Sequence, residues 1–100
     1  MTLKTKAIRD KINPDGGRVI TLSNELYLEA MCKKLEEEVT EFALARGLAE
    51  GDPIEELGDI IDVCYKIASL MTIDKKVLDK VRDDKLVKAG GFATNKFWIG

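Results

Sequence analysis

SNELYLEAMCKKLEEEVTEFALARG, residues 23–47, decides the fold. Leu28, Met31, Leu35, Val39 and Phe42 recur at spacings of three and four, which places them along one stripe of an α-helix. Ser23 or Asn24 offers an N-cap and Gly47 ends the pattern, so a helix is expected over 23–46.

Working outward, GLAEGDP (47–53) reads as a connection. Asp52 is placed to cap, Pro53 to open the next helix, and Glu55 to complete a capping box. A second helix follows over 53–71, with Leu57, Ile60, Ile61, Cys64, Ile67, Ala68 and Met71 as its core residues. That stripe is wider than the first, so this helix is expected to be the more buried of the two. The short connection makes the pair antiparallel. Thr72 or Asp74 can cap a third helix over 73–89, which carries Ile73, Val77, Leu78 and Val81 on a narrower face and stops at Gly90-Gly91.

Pro14, Asp15, Gly16 and Gly17 forbid a long helix near the N-terminus, so 1–22 reads as an arm ordered by packing on the rest, and 90–100 as a short extended tail. One domain is expected over 1–100, an all-α antiparallel bundle of three main helices. Three helices leave a bundle incomplete, and a homodimer or homotetramer would complete a four-helix core.

Composition narrows the function. With 45% hydrophobic and 34% charged residues the chain belongs with folded globular proteins. No apolar run reaches the ~20 residues that span a bilayer, and MTLKTKAIRDK (1–11) has no signal-like apolar stretch, so a cytoplasmic protein without membrane association is expected. Cys32 and Cys64 fall in helical segments and are expected to be buried, reduced thiols. There is no histidine, which removes the usual general base and the commonest transition-metal ligand. The net charge of −2 conceals an acidic middle: residues 25–62 hold twelve Asp/Glu against three Lys/Arg. An acidic centre between basic flanks argues against a nucleic-acid polymer as partner.

The acids themselves are unevenly placed. At 100° per residue from Leu35, Glu38 and Glu41 stand at about −60° and −120°, beside the apolar stripe, whereas Glu36 and Glu37 turn away at about 100° and 200°. On the second helix Glu56 and Asp59 flank the stripe in the same manner, and Glu55 points to solvent. Two acidic pairs, each at i and i+3, thus stand on adjacent helices, and each pair can converge on one cation. Four carboxylates brought together repel one another unless a divalent ion compensates them. Oxygen-only ligands select a hard ion, Mg²⁺ or Mn²⁺. Asp62, one turn beyond Asp59, either extends this group or is solvated.

EEVTE (37–41), followed by ELGD (56–59), resembles the E-E-x-x-E and E-x-x-D signature of the MazG-like superfamily of all-α nucleotide pyrophosphohydrolases. AIRDKI (7–12) and KAGGF (88–92) are similar to elements near the two ends of small members of that superfamily. The resemblance implies Mg²⁺-dependent hydrolysis of a nucleoside triphosphate to its monophosphate and pyrophosphate on associated helical subunits. It implies Glu38, Glu41, Glu56 and Asp59 as metal ligands, in agreement with their helix faces. Glu37 matches the first acid of the signature and is the candidate either for binding a second metal or for accepting a proton from the attacking water. Phosphates approaching such a cluster need positive charge, for which Arg9 and Lys11 in the arm and Lys85 and Lys88 on the third helix are candidates. Spacing does not rank them. Phe92, Phe97 and Trp98 are expected to pack the tail onto the bundle, or else to stack on a base. The competing expectation is a non-catalytic helical module whose acidic groove holds Mg²⁺ while its faces bind a partner.

Overall fold

A computed structural model describes residues 5–48 and 50–100. The first four residues of the expected arm, and Ala49 of the expected connection, lie outside the described residues. Three helices follow in order, α1 (Asn24–Leu48), α2 (Pro53–Leu70) and α3 (Lys75–Ala89). The described residues contain no strand, so the chain is all-α.

Caps set the boundaries. Ser23 opens α1, its Oγ accepting from the Leu26 N–H at 3.3 Å, and the helix runs one residue beyond Gly47. Asp52 caps α2 by accepting from the Ile54 N–H at 3.0 Å, with Pro53 in the first position, where its missing N–H costs nothing. The left-handed φ of 60° at Thr72 breaks the chain out of α2. Asp74, rather than Thr72, then caps α3 through the Lys76 N–H at 3.0 Å. Gly90, at φ 80°, ends that helix with its N–H on the Leu86 carbonyl.

α1 and α2 pack along each other, and the arm adds Ala7 to their seam. Ala7, Met31 and Val63 form the buried centre, with Tyr27, Ala30, Leu35, Ile67 and Leu70 packed around it. The rotation of α2 differs from the expected one. Its seam-facing residues are Glu56, Asp59, Val63, Ile67 and Leu70, within about 40° of one another's mean direction. Of the expected core, Ala68 is buried and Ile60 and Ile67 are half-buried, but Leu57, Ile61, Cys64 and Met71 are exposed. On α1, Glu38 lies in the seam itself and Val39 is exposed. By the same angular step, Val39 and the exposed stripe of α2 fall on one side of the helix pair. Cys32 and Cys64 are free and exposed rather than buried, because both stand about 100° away from the seam.

α3 meets α2 and not α1, and none of its residues is buried. It is tied through Asp79, which accepts from the Tyr65 hydroxyl at 2.9 Å, Lys75 at 2.9 Å and Arg82 at 3.0 Å. Hydrogen bonds from Lys75 first, and from Tyr65 next, hold the Asp79 carboxyl below its usual range. The tail does not pack on the bundle as expected: Phe92, Phe97, Trp98 and Ile99 are all at least 86% exposed. Nothing among the described residues covers them, and α3 presents its own apolar residues Val77, Val81 and Leu86 to solvent as well.

Candidate metal centre

Packing α1 on α2 brings acids from both helices into one small volume. Glu38, three residues after Leu35 and two turns after Met31, is carried into the seam by the same periodicity that buries Met31. It is only 4% exposed. Its Oε1 lies 3.2 Å from Lys34 Nζ, and its Oε2 is buried without a hydrogen-bond partner. Oε2 of Glu56, opposite on α2, is buried and unpartnered as well. A buried polar atom without a partner is costly, so two of them side by side make this a candidate site for a shared proton or a cation.

Glu38, Glu56 and Asp59 each offer an oxygen such that all three lie within 4.8 Å of one another. Oxygens around a Mg²⁺ ion are about 3 Å apart when adjacent and about 4.2 Å apart when opposite, so the three carboxylates would have to draw closer to share its first shell. The donor set fits a hard divalent cation: three carboxylates, two orphaned buried oxygens, and neither nitrogen nor sulfur among the ligands. Of the four ligands expected from sequence, three are assembled. Glu41 is exposed and outside the group, although its charge reaches Glu56. Glu37 is also outside it, with Oε2 3.9 Å from Lys34 and a side chain 39% exposed. Glu36 and Glu55 are exposed, as expected.

The cations sort themselves too. Arg9 reaches the site, its Nη2 donating to Asp59 Oδ1 at 2.5 Å and to Asp62 Oδ2 at 3.0 Å. Asp62 therefore extends the acidic site only as a seat for Arg9. Lys11, Lys85 and Lys88 are exposed and carry no ion pair to these acids. Sequence reasoning missed Lys34, which is largely buried beside Glu38; its signal was the i,i+4 spacing to that glutamate.

Without a cation the cluster settles its repulsion through Glu56. Lys34 balances Glu38 and Arg9 balances Asp59, while Glu56 has neither. Desolvation first, and the neighbouring carboxylates of Glu38 and Glu41 after it, push the Glu56 carboxyl up to about 7 from an ordinary 4.5. Between those values the folded chain holds a proton that the unfolded chain has released. The contribution of this group to stability is therefore full below about 4.5, declines as pH rises, and is gone above about 7. In chelator, melting temperature is expected to fall between pH 5 and pH 8, and Glu56→Gln to remove that part of the slope. Affinity for a divalent cation should rise over the same interval, since the ion must displace the proton. A wild-type melting temperature that is flat or rising from pH 5 to 8 would contradict this assignment.

Comparison with known proteins finds no family model, no curated protein and no solved structure that matches this chain. No helix among the described residues is long and apolar enough to cross a membrane.

Proposed function

We propose that this chain is a Mg²⁺- or Mn²⁺-dependent nucleotide pyrophosphohydrolase, cleaving a nucleoside triphosphate or related nucleotide to its monophosphate and pyrophosphate. The observation that carries the reading is the buried, half-unpartnered carboxylate of Glu38 facing Glu56 and Asp59 across the α1–α2 seam. A surface glutamate chosen for solubility or helix propensity has no reason to be 4% exposed. Three of the five acids that carry the resemblance of EEVTE and ELGD to the MazG-like signature, Glu38, Glu56 and Asp59, are the ones brought together, which supports the reading.

Bound between these acids, a divalent cation would neutralise the triphosphate and lower the pKa of a water so that its deprotonated form is available as the nucleophile. The protein contributes position and charge. Glu38, Glu56 and Asp59 hold the cation, and Glu41 stands beside Glu56 as a fourth acid. Glu37, half-exposed on the next face of α1, takes the proton from the attacking water. The water oxygen bonds to one phosphorus of the α–β phosphoanhydride, that phosphorus's bond to the bridging oxygen breaks, and monophosphate and pyrophosphate separate. Arg9, already at the acids, is the first candidate for meeting the phosphates, ahead of Lys11, Lys85 and Lys88.

Association of chains belongs to the same reading. The exposed side formed by Val39, Leu57, Ile61, Cys64 and Met71 suits a second copy, as a homodimer or as half of a homotetramer. That surface also favours the rival reading, a non-catalytic module that pairs through the same side and merely binds Mg²⁺. Pyrophosphate release from a panel of nucleoside triphosphates with Mg²⁺ or Mn²⁺ separates the two. Release from at least one nucleotide is expected; folded protein that releases none would refute the enzyme.

A further inference from the structure

Arg9 occupies an unusual place. The arm touches the bundle through Ala7, buried between Met31 and Val63, and Ile8, half-buried; from Arg9 to Thr21 every residue is exposed. A turn closed by the Ile12 N–H on the Arg9 carbonyl at 3.1 Å follows directly. Ala7 therefore delivers the guanidinium to α2, where it bridges Asp59 and Asp62, one turn apart. One of these, Asp59, belongs to the three-carboxylate group; the other, 62% exposed, does not.

We propose that Arg9 is an exchangeable counter-ion of the acidic centre, seated on Asp59 while no cation is bound and driven off when a divalent cation enters. The inference rests on the reading of Glu38, Glu56 and Asp59 as a cation site, for which the orphaned, nine-tenths-buried Glu38 oxygen is the independent sign. Two facts make Arg9 the group that yields. Its side chain is 57% exposed, and a pair so exposed is held weakly. It also sits on the same carboxylate that the cation needs, where a charge of two repels a guanidinium at the distance of one carboxyl group. Lys34 cannot yield in this way, because it is 18% exposed and fixed on the same helix as Glu38.

By linkage the effect is reciprocal: cation binding loosens the arm by the same factor that loss of Arg9 tightens the cation. Once displaced, the guanidinium keeps Asp62 as a partial anchor and has donors free for phosphate oxygens. Loading of the metal thereby uncovers a positive charge beside the place where an anionic substrate arrives.

Mn²⁺ titration followed by the resonance of free Mn²⁺ tests this on the full chain in wild-type, Arg9→Gln and Arg9→Lys forms. Arg9→Gln should bind Mn²⁺ about tenfold more tightly, and Arg9→Lys, which keeps the charge, should stay near wild type. A second readout needs no change at Arg9: trypsin cleavage after Lys11 should quicken several-fold when wild-type protein is saturated with Mg²⁺, and should not respond in Asp59→Asn. Equal or weaker Mn²⁺ binding by folded Arg9→Gln would overturn the exchange while leaving the cation site standing. Should Arg9→Gln fail to fold, cleavage unaffected by Mg²⁺ in wild type would overturn it. If no form binds Mn²⁺, the site and the exchange fall together.

Discussion

Glu38→Gln is expected to abolish tight Mn²⁺ binding and to lower pyrophosphate release by at least about a thousandfold, some 4 kcal/mol of lost transition-state stabilisation. The amide keeps the shape of the side chain but removes the charge from the most deeply placed ligand, and the remaining acids are one cation-binding oxygen short. Asp59→Asn should do the same for turnover. Helix content, read by circular dichroism, should be unchanged in both. Metal-free Glu38→Gln should melt no lower than wild type, because loss of the charge relieves its repulsion of Glu56 and Lys34 keeps Glu37 at 3.9 Å as a counter-ion. Loss of activity together with retained or raised stability is the signature of a ligand kept for function. Glu36→Gln, on the solvent side of α1, should alter neither property. If it proves as damaging as Glu38→Gln, the facial assignment of the acids is wrong.

The second large effect concerns assembly. In sedimentation the chain should run as a dimer or tetramer, and Ile61→Glu should weaken association by a factor of at least about a hundred, in line with the loss of a central apolar contact. Ile61 is 54% exposed in the single chain and lies between Leu57 and Cys64 on the side of α2 turned away from the α1 seam. The single chain exposes 9256 Å², against the roughly 5,700 Å² usual for a folded monomer of this mass. Its radius of gyration, 16.8 Å, exceeds the roughly 13 Å of a compact chain of this length. The exposed surface lies on the open side of α1 and α2, along α3, in the arm from Arg9 to Thr21 and in the apolar tail. A cooperative, stable wild-type monomer at micromolar concentration would contradict the prediction.

Much of this arrangement was legible before any tertiary contact. Helix spans, the Asp52-Pro53 start, the glycine stop at Gly90 and the presence of an acidic pair at i and i+3 on each of two helices follow from spacing, because caps and i,i+3 neighbours are local chemistry. The acidic signature includes Glu38, Glu56 and Asp59 together with Glu37 and Glu41, which stand outside the group. Lys34 was within reach of that reasoning through its i,i+4 relation to Glu38, but four charged residues nearby on α1 gave it no distinction.

Other features depended on how the elements turn against one another. Periodicity says which residues share a face of α2, and its apolar stripe is wide enough for two surfaces; which of them meets α1 is settled only by packing. The side with Val63, small enough to admit Glu38 and Glu56 into the seam, was chosen, and the richer stripe of Leu57, Ile61 and Met71 was left outside. The contact of Arg9 with Asp59 joins positions 50 residues apart, a distance at which no local pattern operates. Sequence by itself determined the helices, their ends and the presence of two acidic pairs, since those arise from hydrogen bonds and side chains within one or two turns. Tertiary structure alone decided that three of the carboxylates share a small, partly buried volume, that an arginine from the arm reaches it, and that an apolar side stays open, because these depend on the rotation of whole helices about their axes.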